Sequence, residues 1–75
     1  MSKHMSLIET LQWSTAHGFT INIFSLEDGL VVEIDDADNK IPNAELHCSW
    51  EEVDQLEKTL AGVMSDLYFE KEGIK

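Results

Sequence analysis

Residues 19–35 read FTINIFSLEDGLVVEID, and this stretch decides the fold. Phe19, Ile21 and Ile23 alternate with Thr20 and Asn22, the two-residue period of a strand with one buried face. Leu30 to Asp35 is a second β-rich run, and Glu27-Asp28-Gly29 lies between the two. An Asp-Gly pair between such runs predicts a β-hairpin. Downstream, Asp36 to Asn43 is rich in turn formers and holds the only proline, Pro42. Ala44 to Cys48 then reads as a short third strand.

The next segment changes period. Ser49 followed three residues later by Glu52 is a capping box, and Glu51, Glu52 and Asp54 place negative charge in a first helical turn. Val53, Leu56, Leu60, Val63, Met64 and Leu67 recur at three- and four-residue spacing, the apolar stripe of an amphipathic helix over about residues 50–70. Gly62 lies inside that stripe and marks either a break or a close contact with the sheet, and Gly73 ends it. Residues 6–17 fit both periods. Leu7, Ile8, Leu11 and Thr15 suit a helix ending at Gly18, whereas Leu7, Leu11 and Trp13 share one side of a strand. Trp13 and the threonines Thr10, Thr15 and Thr20 tip the reading to a strand followed by a Ser14–Gly18 turn. The expected architecture is α+β: a three- to four-stranded antiparallel sheet packed against one long or broken C-terminal helix. Residues 6–75 form one domain, and residues 1–5 are expected to be disordered or a cloning remnant.

Charge limits the functions open to this chain. Fifteen carboxylates face five lysines and no arginine, a formal net charge of −10 in 75 residues. Phosphates, nucleic acid and anionic membranes are held by Lys and Arg, so none of them is an expected ligand. The natural partner is a basic protein surface, approached fast and with strong salt dependence. Cys48 is the only cysteine, so no internal disulfide forms, and a reducing, cytoplasmic setting is expected. No apolar run approaches a membrane span, and the N-terminus lacks the apolar core of a signal peptide.

Motifs for chemistry fail one by one. A calcium loop begun at Asp36 has Lys40 at position five, Ile41 where glycine is needed and His47 where the bidentate glutamate belongs. His47 and Cys48 are adjacent and face opposite sides of a strand, which argues against a zinc site. Cys48 with His17 has no supporting context as a nucleophile pair, and the four dispersed glycines cradle no phosphate. No catalytic residue, metal or cofactor is expected.

The acidic residues remain. Glu27, Asp28, Glu33, Asp35, Asp36 and Asp38 fall within twelve positions with no base among them. Glu33 and Asp35 share a strand face at about 6.5 Å spacing, the scale of a row of phosphates. A solvated, self-repelling face is the bland reading of such a run. The alternative is an interface that imitates a polynucleotide, and Lys40 or Lys58 folding onto it would neutralise it. Trp13, Phe19, Trp50, Tyr68 and Phe69 are expected mostly in the core. Phe24 alternates away from Ile21 and Ile23 and is a candidate contact anchor.

Ser14-Thr15-Ala16-His17, Asn22-Ile23, the acidic turn Glu27 to Gly29 and Gln55-Leu56-Glu57 occur in an order that resembles small phage-encoded type I anti-CRISPR proteins. The similarity runs without gaps from Ser14 to Gly29 and loosely to residue 57, about half the chain. It implies a four-stranded antiparallel sheet on helices, and a protein that binds the crRNA-guided surveillance complex and blocks hybridisation of target DNA. The aromatic contact positions of that family fall here on Gln12 and Leu26, so those contacts do not carry over. The resulting expectation is a phage-type inhibitor that occludes the nucleic-acid-binding surface of a CRISPR or other basic complex. The alternative is a homodimeric accessory or antitoxin- or immunity-like module without nucleic-acid mimicry.

Overall fold

The computed structural model describes residues 6–73 of the chain; the expectation for residues 1–5 lies outside them. Helix α1 (Leu7–Ala16) leads into strands β1 (Phe19–Ser25), β2 (Gly29–Asp36) and β3 (Ala44–Ser49). A 3-10 segment, Trp50–Gln55, then continues into helix α2 (Leu56–Glu72). The strands form one antiparallel sheet in the order β1-β2-β3, so the architecture is α+β with three strands.

The fourth strand expected over residues 6–17 is instead α1. Ser6 and Glu9 close a capping box: the Glu9 N–H donates to Ser6 Oγ at 3.1 Å, and the Ser6 N–H donates to Glu9 Oε1 at 2.8 Å. The hydroxyls of this segment, including those of Thr10 and Thr15, which favour β by propensity, are satisfied along the helix. Thr10, Ser14 and Thr15 each donate to the carbonyl four residues back, at 3.0, 2.7 and 3.1 Å. Gly18 takes φ +82°, the left-handed conformation that ends a helix, and β1 starts at the next residue.

One face of the sheet carries the core. Phe19, Val32, Ile34 and Cys48 pack against Leu56, Leu60 and Met64, whose four-residue spacing lays one side of α2 on the sheet. Leu7, Leu11, Ile21, Val53, Val63 and Leu67 extend this core at its margins. The break in the C-terminal helix falls at Gln55–Leu56, not at Gly62. Glu52 starts the 3-10 segment by accepting from the Ser49 N–H and hydroxyl, both at 3.1 Å.

Gly62 lies inside α2, exposed, and a Cβ there would meet nothing within 4 Å. Its glycine therefore serves neither a break nor a close contact. Gly62→Ala is expected to stabilise the fold by about 0.5–1 kcal/mol through helix propensity alone. Urea titration checks this; an unchanged or lower midpoint would show a role for Gly62 in the folded state.

The hairpin turn is shorter than the sequence suggests. Leu26 and Gly29 already exchange backbone hydrogen bonds, at 2.7 and 3.4 Å, so Glu27 and Asp28 alone form the loop. Trp50 fastens it: its N–H donates to the Asp28 carbonyl at 3.3 Å, and its ring Nε1 to the Glu27 carbonyl at 2.8 Å. Trp50 and Phe69 are half-exposed, which corrects their assignment to the core. No helix among the described residues is long and apolar enough to cross a membrane.

Candidate functional site

Strand alternation gives the sheet a second face, opposite the helices. The β1–β2 register pairs Thr20 with Asp35, Asn22 with Glu33 and Phe24 with Val31. The β2–β3 register pairs Glu33 with Glu45 and Val31 with His47. These residues alternate with the buried Phe19, Val32, Ile34 and Cys48, so they stand on the open side. That side has an acidic end and an apolar end.

The acidic end consists of Glu33, Asp35 and Glu45. Glu33 and Glu45 are direct cross-strand partners, about 5 Å apart at Cβ, and Asp35 stands one step along the same strand. Like charges so placed repel, and among the described residues no lysine pairs with Glu33 or Asp35. Glu45 Oε1 lies 3.0 Å from His47 Nε2, and both side chains are exposed. Asn43 and Ala44 complete a shallow groove around the three carboxylates. At the apolar end Phe24 is 48% exposed beside Val31.

The six carboxylates singled out in the sequence do not form one strip. Glu33 and Asp35 lie on the open face, and Glu27 and Asp28 occupy the turn at its far end, near the start of the 3-10 segment. Asp36 points into the core side and is 3% exposed, so its carboxylate is not presented on the open face. Asp38 turns toward the same point as Asp36. A lysine draws both away, and it is neither Lys40 nor Lys58. Lys71 Nζ lies 2.7 Å from Asp36 Oδ1 and 2.9 Å from Asp38 Oδ2. It also donates to the His17 and Gly18 carbonyls at 3.0 and 3.3 Å, and sits 4.7 Å from the centre of the Phe19 ring. The ammonium thus caps the end of α1, which has no basic residue in its own last turn.

Asp36 is saturated in turn. Its carboxylate accepts from the N–H groups of Asp38, Lys40 and Ile41, at 3.0, 2.8 and 3.3 Å. Burial alone would raise its pKa, but the Lys71 ammonium and the backbone donors of Asp38 and Lys40 override this and hold it at about 2. Lys71 is shifted up, chiefly by its hydrogen bond to Asp36, against the opposing effect of burial. This pair is structural and joins α1, β2, the β2–β3 loop and α2.

Sequence reading missed two residues here. Glu45 joins the acidic end through the register of β3 on β2, which composition does not specify. Lys71 is 35 residues from Asp36, and only the crossing of α2 over the sheet brings them together. No group of three His, Cys, Asp or Glu side chains suited to a metal occurs among the described residues. Comparison with known proteins finds no matching family model, curated protein or solved structure.

Proposed function

We propose that this protein is a small acidic binding module that lays the open face of its sheet on a basic protein surface of the kind that handles nucleic acid, and occludes it. The observation that carries this reading is the pairing of Glu33 with Glu45, with Asp35 alongside, on the face opposite the helices of the described residues. The arrangement costs folding free energy through repulsion, and a cationic surface would relieve that cost on binding. Phe24 offers an apolar anchor at the other end of the same face. The net charge of −10 without arginine supports fast, salt-sensitive encounter with such a partner. Occlusion would proceed by carboxylate pairing with Lys and Arg of the target, in competition with its nucleic acid. A type I CRISPR surveillance complex is the target favoured by the sequence resemblance.

The test is competition. A purified type I surveillance complex is loaded with labelled target DNA in the presence of this protein, at about 0.05 M and about 0.5 M NaCl. DNA loading is expected to be blocked at low salt and restored at high salt. The double substitution Glu33→Gln with Glu45→Gln is expected to weaken inhibition by roughly tenfold or more. Inhibition indifferent to both salt and substitution, or no inhibition at low salt, would overturn the reading.

A further inference from the structure

We propose that a second copy of this chain adds to the free edge of β1, making a six-stranded antiparallel sheet across a two-fold axis. This inference is independent of the binding partner proposed above, because the open face stays uncovered in the dimer.

The first observation is charge. Residues 10–26 contain no Asp, Glu or Lys in a chain that has twenty such residues. That stretch includes all of β1, an edge strand. Edge strands of stable monomers are guarded by charge, proline, bulges or short length. Beyond its covered first residue, Phe19, β1 has none of these: it is seven residues long, contains no proline and pairs with β2 at every position without a bulge. β3, at the other edge, carries Glu45 at its second position. Ile23 is 40% exposed although it lies on the helix side, and Phe24 and Leu26 are about half-exposed beside it.

The second observation is register. Leu26 with Gly29 and Gly18 with Ala37 are hydrogen-bonded positions of the β1–β2 ladder. Antiparallel alternation then turns Thr20, Asn22 and Phe24 toward β2. Phe19, Ile21, Ile23 and Ser25 direct their N–H and C=O groups outward. Phe19 is only 3% exposed, so the edge is closed at its start and pairing falls on the central positions: in one symmetric register Ile21 lies against Ile23 of the second copy. Asn22 then faces its own counterpart on the two-fold axis. This arrangement covers Ile23 with Ile21 of the second copy, and sets Phe24 beside Thr20 of the second copy.

The third observation explains why a chain of −10 charge can meet itself here. In that sheet the two β2 strands stand three strand spacings apart, about 14 Å. That exceeds the Debye length of about 8 Å at physiological salt. The uncharged β1 strands therefore act as a spacer between the two sets of Glu33, Asp35 and Glu45. A basic strand docking on the same edge would meet no carboxylate on β1.

Sedimentation equilibrium of the full chain is expected to give twice the 8.5 kDa mass of one chain at physiological salt. Asn22→Cys is expected to form a disulfide-linked dimer under mild oxidation. Non-hydrogen-bonded partners sit about 4.5 Å apart at Cα, within disulfide range. Thr20→Cys is expected not to crosslink, since its counterpart lies four residues along, about 13 Å away. The unsubstituted chain, whose Cys48 is buried, serves as the control. Ile23→Pro removes an outward N–H that β2 does not use and is expected to yield a folded monomer by circular dichroism and sedimentation. A monomer at millimolar concentration, or crosslinking at Thr20 equal to that at Asn22, would overturn the proposal. A dimer that Asn22→Cys fails to link would do the same.

Discussion

Asp36→Ala is expected to lower the melting temperature by roughly 20 °C, enough to leave much of the chain unfolded at physiological temperature. The substitution strips a buried ammonium of its shortest partner and removes the acceptor of three loop N–H groups at once. Lys71→Met is expected to cost somewhat less, because the three backbone donors still hold the Asp36 carboxylate. Combining Lys71→Met with Asp36→Leu is expected to recover part of the loss, since an apolar pair can replace a buried ion pair when both charges leave together. Asp38→Asn, at a carboxylate that is more than half-exposed, is expected to have little effect. Melting curves of the unsubstituted chain, Asp36→Leu, Lys71→Met and the double variant give the cycle. Single effects that simply add would show that Asp36 and Lys71 do not act as a unit.

The same pair sets a pH dependence whose sign follows from linkage. Asp36 has a folded pKa of about 2 against an ordinary value of 3.8. Its contribution is therefore complete above about pH 4 and is lost as the pH falls toward 2. Lys71 is shifted above 10.5, so its contribution is complete below that value and is lost as the pH rises through the folded pKa. Protonating the exposed carboxylates works against the acid-side loss by relieving self-repulsion. The difference curve between the unsubstituted chain and Asp36→Asn isolates the pair.

Which parts of this molecule were legible follows from the range of the interactions that decide them. The hairpin is written in alternation and a short turn, and the C-terminal helix in a four-residue stripe; both depend on neighbours in sequence. Residues 6–17 mislead because threonine and tryptophan favour strands by propensity. Thr10 and Thr15 instead satisfy their hydroxyls on carbonyls one turn back, and the Ser6–Glu9 capping box was the readable sign. The acidic run was legible as composition but not as a surface. Strand parity sends Asp36 to the side opposite Glu33 and Asp35, and β3 supplies Glu45 in its place. Parity could have separated Asp36, since it shares the phase of Val32 and Ile34. Nothing local could have found Lys71, whose role depends on where α2 ends over the sheet.

Gly29 carries the second large effect, and it tests the meaning of the Asp-Gly pair. The sequence reads that pair as a turn, yet the loop is Glu27-Asp28 and Gly29 is already the first residue of β2. There it pairs with Ser49 of β3. A Cβ at Gly29 would collide with the Cys48 carbonyl oxygen and lie 2.8 Å from Ser49 Cα. Both obstacles are backbone, so no side-chain rotation relieves them. Gly29→Ala must push β3 away from β2 where β3 enters the 3-10 segment, and with it Trp50, which fastens the turn. Overpacking of this kind is expected to cost about 3 kcal/mol, the upper part of its usual range. At Gly62 the same glycine-to-alanine exchange meets open space and is expected to stabilise. The two variants, measured side by side by urea denaturation, should therefore shift the midpoint in opposite directions. If Gly29→Ala unfolds at the unsubstituted midpoint, β2 and β3 are not in close backbone contact there, and the turn reading of the Asp-Gly pair is restored.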